Sequence, residues 1–141
     1  ELIASFEAAV KAYPTDLTHY SELNGYLRDR LSKMEDVYIN SPDNSVYNIL
    51  SFSVLGVRSE IMLHSLEEKE IYVSSGSACS KGKISSVPDA FGMSSERADS
   101  TIRVSFSMET TKEDIDALCD EIENGISRFR RTKKSRRKGN I

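Results

Sequence analysis

From Thr110 onward the chain carries its most restrictive pattern. Ile115, Leu118, Ile122, Ile126 and Phe129 recur at helical spacing on one face, and Thr110 with Glu113 forms a capping-box signature ahead of them. A helix with one apolar face must bury that face against another layer. Short β-branched and aromatic runs supply the layer. Val37-Tyr38-Ile39 and Val46 to Val54 predict two strands split by the turn-forming Asn40-Ser41-Pro42-Asp43-Asn44. Ile71-Tyr72-Val73 predicts a third strand, and Thr101 to Ser107 alternates as a fourth.

Two further helical stretches precede the strands. Leu2, Ile3, Phe6, Ala9, Val10 and Tyr13 share a helical period, Pro14 breaks it, and Tyr20, Leu23, Leu27 and Leu31 resume it. Ser59 is a natural N-cap for a short helix bearing Ile61, Met62 and Leu66. Helices and strands thus alternate irregularly, which predicts an α+β fold. The expected architecture is a small mixed or antiparallel sheet covered by the N-terminal and C-terminal helices.

With 141 residues there is room for one domain with its own core, without disulfides or metals. Cys79 and Cys119 lie forty positions apart with no C-x-x-C pair, and His19 and His64 have no companion at ligand spacing, so no metal site is expected. Free thiols suit a reducing cytoplasm. No apolar run approaches the roughly 20 residues that cross a bilayer, so no membrane association is expected. The net charge of -3 divides unevenly: residues 130–141 hold seven basic side chains and no acid, leaving 12 basic against 22 acidic residues, or -10, for residues 1–129. The chain is therefore divided into a domain at 1–129 and a basic, disordered tail at 130–141. Without interleaved aromatics the tail reads as a solvated end rather than a specific reader, and no nucleic-acid partner is expected.

Two residues stand out chemically. In Ser74-Ser75-Gly76-Ser77-Ala78-Cys79 a strand ends, a glycine permits a sharp turn, and a thiol is delivered at the start of a long polar stretch from Ser80 to Asp99. Lys81 and Lys83 are placed to favour the thiolate. An inert buried cysteine fits the local composition equally well. Arg103 interrupts a strand of apolar and small residues; its planar fork suits a carboxylate. A solvent-facing arginine satisfies the same alternation. Cys119 follows Leu118 on the final helix and is expected in or beside the core.

Ser74-Ser75-Gly76-Ser77-Ala78-Cys79-Ser80, followed by Ser100-Thr101-Ile102-Arg103-Val104-Ser105, resembles the C-terminal small domain of NifS/IscS-like cysteine desulfurases, in the class V aminotransferase group of fold-type I enzymes. The resemblance runs from about Leu2 to Phe129 and includes Asn48 to Ser53 and Thr110 to Asp116. It implies an enzyme using pyridoxal 5'-phosphate that converts L-cysteine to alanine and leaves the sulfur as a persulfide. Carried over, Cys79 is the attacking thiolate and Arg103 the clamp on the substrate carboxylate, with Ser75, Gly76 and Ser77 near the cofactor. It also implies a homodimeric parent and delivery of sulfur to acceptor or scaffold proteins, for iron-sulfur clusters or thiolated tRNA. The cofactor lysine and phosphate loop belong to a large domain absent from this sequence, and Lys11, Lys33, Lys69, Lys81, Lys83 and Lys112 all sit in polar contexts. The chain alone is expected to be inactive. Two other readings remain: a thiol-independent class V relative such as a selenocysteine lyase, a cysteine-sulfinate desulfinase or an aminotransferase, and a non-enzymatic module binding through its basic tail.

Overall fold

The computed structural model describes residues 2–75 and 92–138, with helix geometry alone for 130–138. The described elements run α1 (Leu2–Ala12), α2 (Thr18–Ser32), β1 (Val37–Ile39), β2 (Ile49–Val54), α3 (Ser59–Glu67), β3 (Ser74–Ser75), α4 (Ser95–Asp99), β4 (Thr101–Ser105) and α5 (Lys112–Lys138). The strands form one sheet in the order β1-β2-β4-β3, antiparallel throughout. This is the expected α+β layer.

The strand period of two assigns the faces. Leu50, Phe52 and Val54 on β2 and Ile102 and Val104 on β4 are buried and point to one side, where they meet Leu27 and Leu31 of α2, Met62 and Leu66 of α3, and Ile115, Leu118 and Ile122 of α5. The helices cross-brace one another through ions: Arg30 on α2 pairs with Asp116 and, at 3.0 Å, with Asp120 on α5, while Tyr26 donates its hydroxyl to Asp116 at 2.7 Å. At Gly125 of α5 the side chain of Met62 of α3 comes close to the backbone. A Cβ there would stand 2.8 Å from Met62 Sδ, so the missing side chain is what seats Met62 in the core.

The chain breaks at Pro14 as the sequence requires, but α1 covers nothing. All its residues are exposed, including Leu2 at 88% and Phe6 at 73%, so the sheet is covered by α2, α3 and α5. Other departures have local causes. The capping box of α5 sits one residue later: Thr111 Oγ1 accepts from Asp114 N at 3.2 Å and Asp114 Oδ2 from Thr111 N at 2.9 Å. Thr110 instead accepts from Ser107 N, tightening the preceding turn. Ser59 is the first helical residue of α3 and Arg58 holds the N-cap position, with no side-chain cap. The third strand forms at Ser74–Ser75 rather than at 71–73. Ile71 N still closes onto Leu66 O at the end of α3, with Glu70 turned to a φ of 59°, so the chain reaches β4 only later. In β2 pairing starts at Ile49, leaving Val46 and Tyr47 exposed.

The basic segment also differs. The helix runs on through Lys138, across the boundary at residue 129 and into the stretch expected to be disordered. Lys and Arg are good helix formers, and no Gly or Pro intervenes before Gly139.

Candidate active-site face of the sheet

On the face of the sheet turned away from α2, α3 and α5, the register lines up three residues across three strands. Arg103 of β4 is paired with Ser51 of β2 on one side and with Ser74 of β3 on the other. Its strand neighbours Ile102 and Val104 are buried, so alternation sends Arg103 outward, where it is exposed. Two serines flank it, leaving room for a planar guanidinium to meet an incoming group. Among the described residues no ion pair or hydrogen bond engages its side chain. The charge is thus carried on a rigid strand, ready for an anion.

Ser75, which continues β3 beside Ile102, is partly buried one step from this row. Gly76, Ser77 and Cys79 lie outside the described residues, as do Lys81 and Lys83. What the fold places is the strand that precedes them: β3 is the edge strand and pairs with β4, Ser74 opposite Arg103.

The other end of this segment is tied down by residues that sequence patterning missed. Ser94 caps α4 by accepting from Arg97 N at 3.3 Å. The Arg97 side chain then reaches back across the sheet, donating Nε to Asn40 Oδ1 at 2.8 Å and Nη2 to Ile39 O at 3.0 Å, with its guanidinium 5.6 Å from the Tyr38 ring. Its backbone carbonyl accepts the hydroxyls of Ser53, Ser100 and Thr101 at 2.8, 3.0 and 2.9 Å. A cluster of hydroxyls in sequence marks such an anchor only after the strands have brought them together.

Cys119 resolves as the structural thiol. It is fully buried in α5, and burial pushes its thiol up to about 11, far from the reactive range. The native chain is therefore expected to react with a thiol reagent at pH 8 at one cysteine, Cys79, and at both only after denaturation. Peptide mapping of the alkylated sites checks this, and native labelling of Cys119 would contradict the packing. Of the histidines, His64 is exposed beside Glu67 and His19 is half-buried against Tyr20. Among the described residues no cluster of His, Cys, Asp or Glu could hold a metal ion, and no helix is long and apolar enough to cross a membrane.

Residues 7–118 match the family model described as Aminotransferase class-V. The chain belongs to that family. It is 36% identical over 129 residues to the cysteine desulfurase IscS of Enterobacter sp. (strain 638), covering 89% of this chain and 31% of the relative. Over 130 residues it is 38% identical to the cysteine desulfurase IscS of Pseudoalteromonas translucida (strain TAC 125), covering 89% and 32%. Among solved structures it resembles a NifS-like protein of Rickettsia africae ESF-5, with TM-score 0.66 and 27% identity over 77% of this chain and 28% of that one. A second structure titled NifS-like protein gives TM-score 0.67 and 28% identity over 78% and 28%. The chain thus spans about a third of the length of the relatives it matches.

Membership in the family implies pyridoxal phosphate, and the described residues do not fit a site for it. Lys11 and Lys33 are exposed and ion-paired with Glu7 and Asp29, Lys69 is exposed, and exposed Lys112 stands 5.7 Å over the Tyr26 ring. None is desolvated in the way a carbonyl-binding amine requires.

Proposed function

We propose that this chain is the thiol-bearing small domain of a cysteine desulfurase. Arg103 carries the reading: a guanidinium held outward on a rigid strand, flanked by Ser51 and Ser74, beside the strand that leads to Cys79. The names and identities of the IscS relatives support it.

Each of the two residues has a distinct task. Arg103 takes the carboxylate of L-cysteine bidentately and fixes the substrate's orientation. The Cys79 thiolate attacks the substrate sulfur. A sulfur–sulfur bond forms as the substrate's Cβ–S bond breaks; the electron pair of that bond stays with the carbon skeleton, which takes up a proton and leaves as alanine. Cys79 retains the sulfur as a persulfide for a protein acceptor, in iron-sulfur assembly or tRNA thiolation. In a protein carrying this chain together with the cofactor-binding part of the family, a homodimer in this reading, incubation with L-cysteine under non-reducing conditions is expected to add 32 Da, the mass of one sulfur atom (~32), to the Cys79 peptide. Alanine release without that adduct would favour a thiol-independent relative acting on selenocysteine or cysteine sulfinate.

Arg103→Ala is expected to lower kcat/KM by about 10- to 100-fold through KM, the loss of a charge-assisted hydrogen-bond pair. The Cys79 persulfide should still form at saturating L-cysteine. An unchanged KM would remove Arg103 from the substrate site.

A further inference from the structure

Past Phe129, α5 continues as a helix with no apolar residue in it. Seven of the nine residues from Arg130 to Lys138 are basic and none is acidic. A helical stretch with no apolar residue has no apolar face to drive burial, and this arm lengthens the helix by about 13 Å. Its charge has only a partial structural explanation. Arg136, Arg137 and Lys138 complement the negative end of the helix dipole, but that effect dies away within the last turn. Arg130, Arg131, Lys133 and Lys134 lie further back, and their spacing sets like charges three and four residues apart, which destabilises an isolated helix. The helical arm therefore calls for a counter-charge that neutralises it. The rest of the chain, at a net -10, is of the opposite sign.

We infer that the arm binds the phosphate backbone of double-stranded nucleic acid without reading its sequence. The charge geometry selects this partner. The arm carries about one positive charge per 1.9 Å of helix axis, against about one negative charge per 1.7 Å on a duplex. A membrane surface is a poorer match, because interfacial helices anchor through an apolar face that this arm lacks. Absence of interleaved aromatics likewise disfavours single strands, whose bases stack on rings.

The test is fluorescence anisotropy of a labelled 20-base-pair DNA duplex, and of an RNA duplex of the same sequence, titrated with the 141-residue chain from 50 to 300 mM salt. Binding to a duplex should weaken steeply with salt, with a log–log slope of about -4 or steeper. Substituting Arg130, Arg131, Lys133 and Lys134 all by Gln should cost at least tenfold in affinity and flatten the slope by roughly three to four units. The ratio of the two duplexes tells which nucleic acid the arm favours. Unchanged thermal unfolding of the quadruple variant shows that the fold is intact. Failure to bind either duplex at low salt, affinity indifferent to the four substitutions, or tighter binding to phosphatidylserine vesicles, to polyglutamate or to a second copy of the chain would each overturn the proposal. The four residues belong to α5 and not to β2, β3 or β4, which carry Ser51, Ser74 and Arg103, so persulfide formation on Cys79 should be the same in the variant, and the two readings fail separately.

Discussion

Cys79→Ala, in a protein that joins this chain to the cofactor-binding part of its family, is expected to lower alanine release from L-cysteine by at least about 10³-fold, with no persulfide detected anywhere in the protein. Loss of a covalent nucleophile removes the reaction's route rather than one contact, which is why the expected effect exceeds that of Arg103→Ala. Cys79→Ser should be equally inactive, since a hydroxyl is scarcely ionised near neutral pH and has no sulfur to extend. The remaining thiol gives no escape: Cys119 is fully buried and its thiol is raised to about 11, so it neither meets substrate nor ionises. The measurement is alanine formed per enzyme, alongside peptide mass spectrometry and a fold check by circular dichroism. If alanine release from cysteine persists within tenfold, the thiol is not the acceptor. The protein then belongs with relatives that break the bond without it.

How far the sequence carries depends on the range over which each feature is encoded. Ile115 to Phe129 specify α5 within a single stretch, and the helix forms there. Two adjacent threonines defeat the choice of cap, because Thr110 and Thr111 differ only in which partner each finds, and Ser107 claims the first. Ile71 to Val73 have strand composition, yet the closing turn of α3 keeps them from β4 until Ser74. Composition reports propensity; pairing depends on where the preceding element releases the chain.

The site divides in the same way. Alternation in β4 leaves Arg103 with two equal readings, and its exposed place between Ser51 and Ser74 is common to both. Arg97 could not be found from spacing, since its partners Asn40 and Ile39 are 57 and 58 positions away. Biased composition says nothing of helix length, and with no breaker before Gly139 α5 runs to Lys138. For α1 the apolar period is correct and the inference from it is not: an amphipathic face states that something must cover it, without saying that the cover lies in the same domain.

Phe52→Ala is expected to destabilise the chain by about 3–5 kcal/mol, the range for deleting a buried aromatic side chain. Phe52 is fully buried on the core side of β2, paired with Ile39 on one side and Ile102 on the other, so its ring is enclosed by the sheet below and the helices above. The backbone ladder is untouched by the substitution, and the loss is therefore one of packing rather than of pairing. Against a total stability of about 5–15 kcal/mol for a domain of this kind, such a loss takes a large share. Urea denaturation followed by circular dichroism should show a much lower midpoint with an unchanged slope, the mark of lost stability without a new unfolded state. Arg103→Ala is the matched control on the opposite face of the same sheet: exposed and outside the core, it should move stability by no more than about 0.5 kcal/mol. A Phe52→Ala cost below about 1 kcal/mol would mean that the sheet and the helices do not close on one another in the isolated chain.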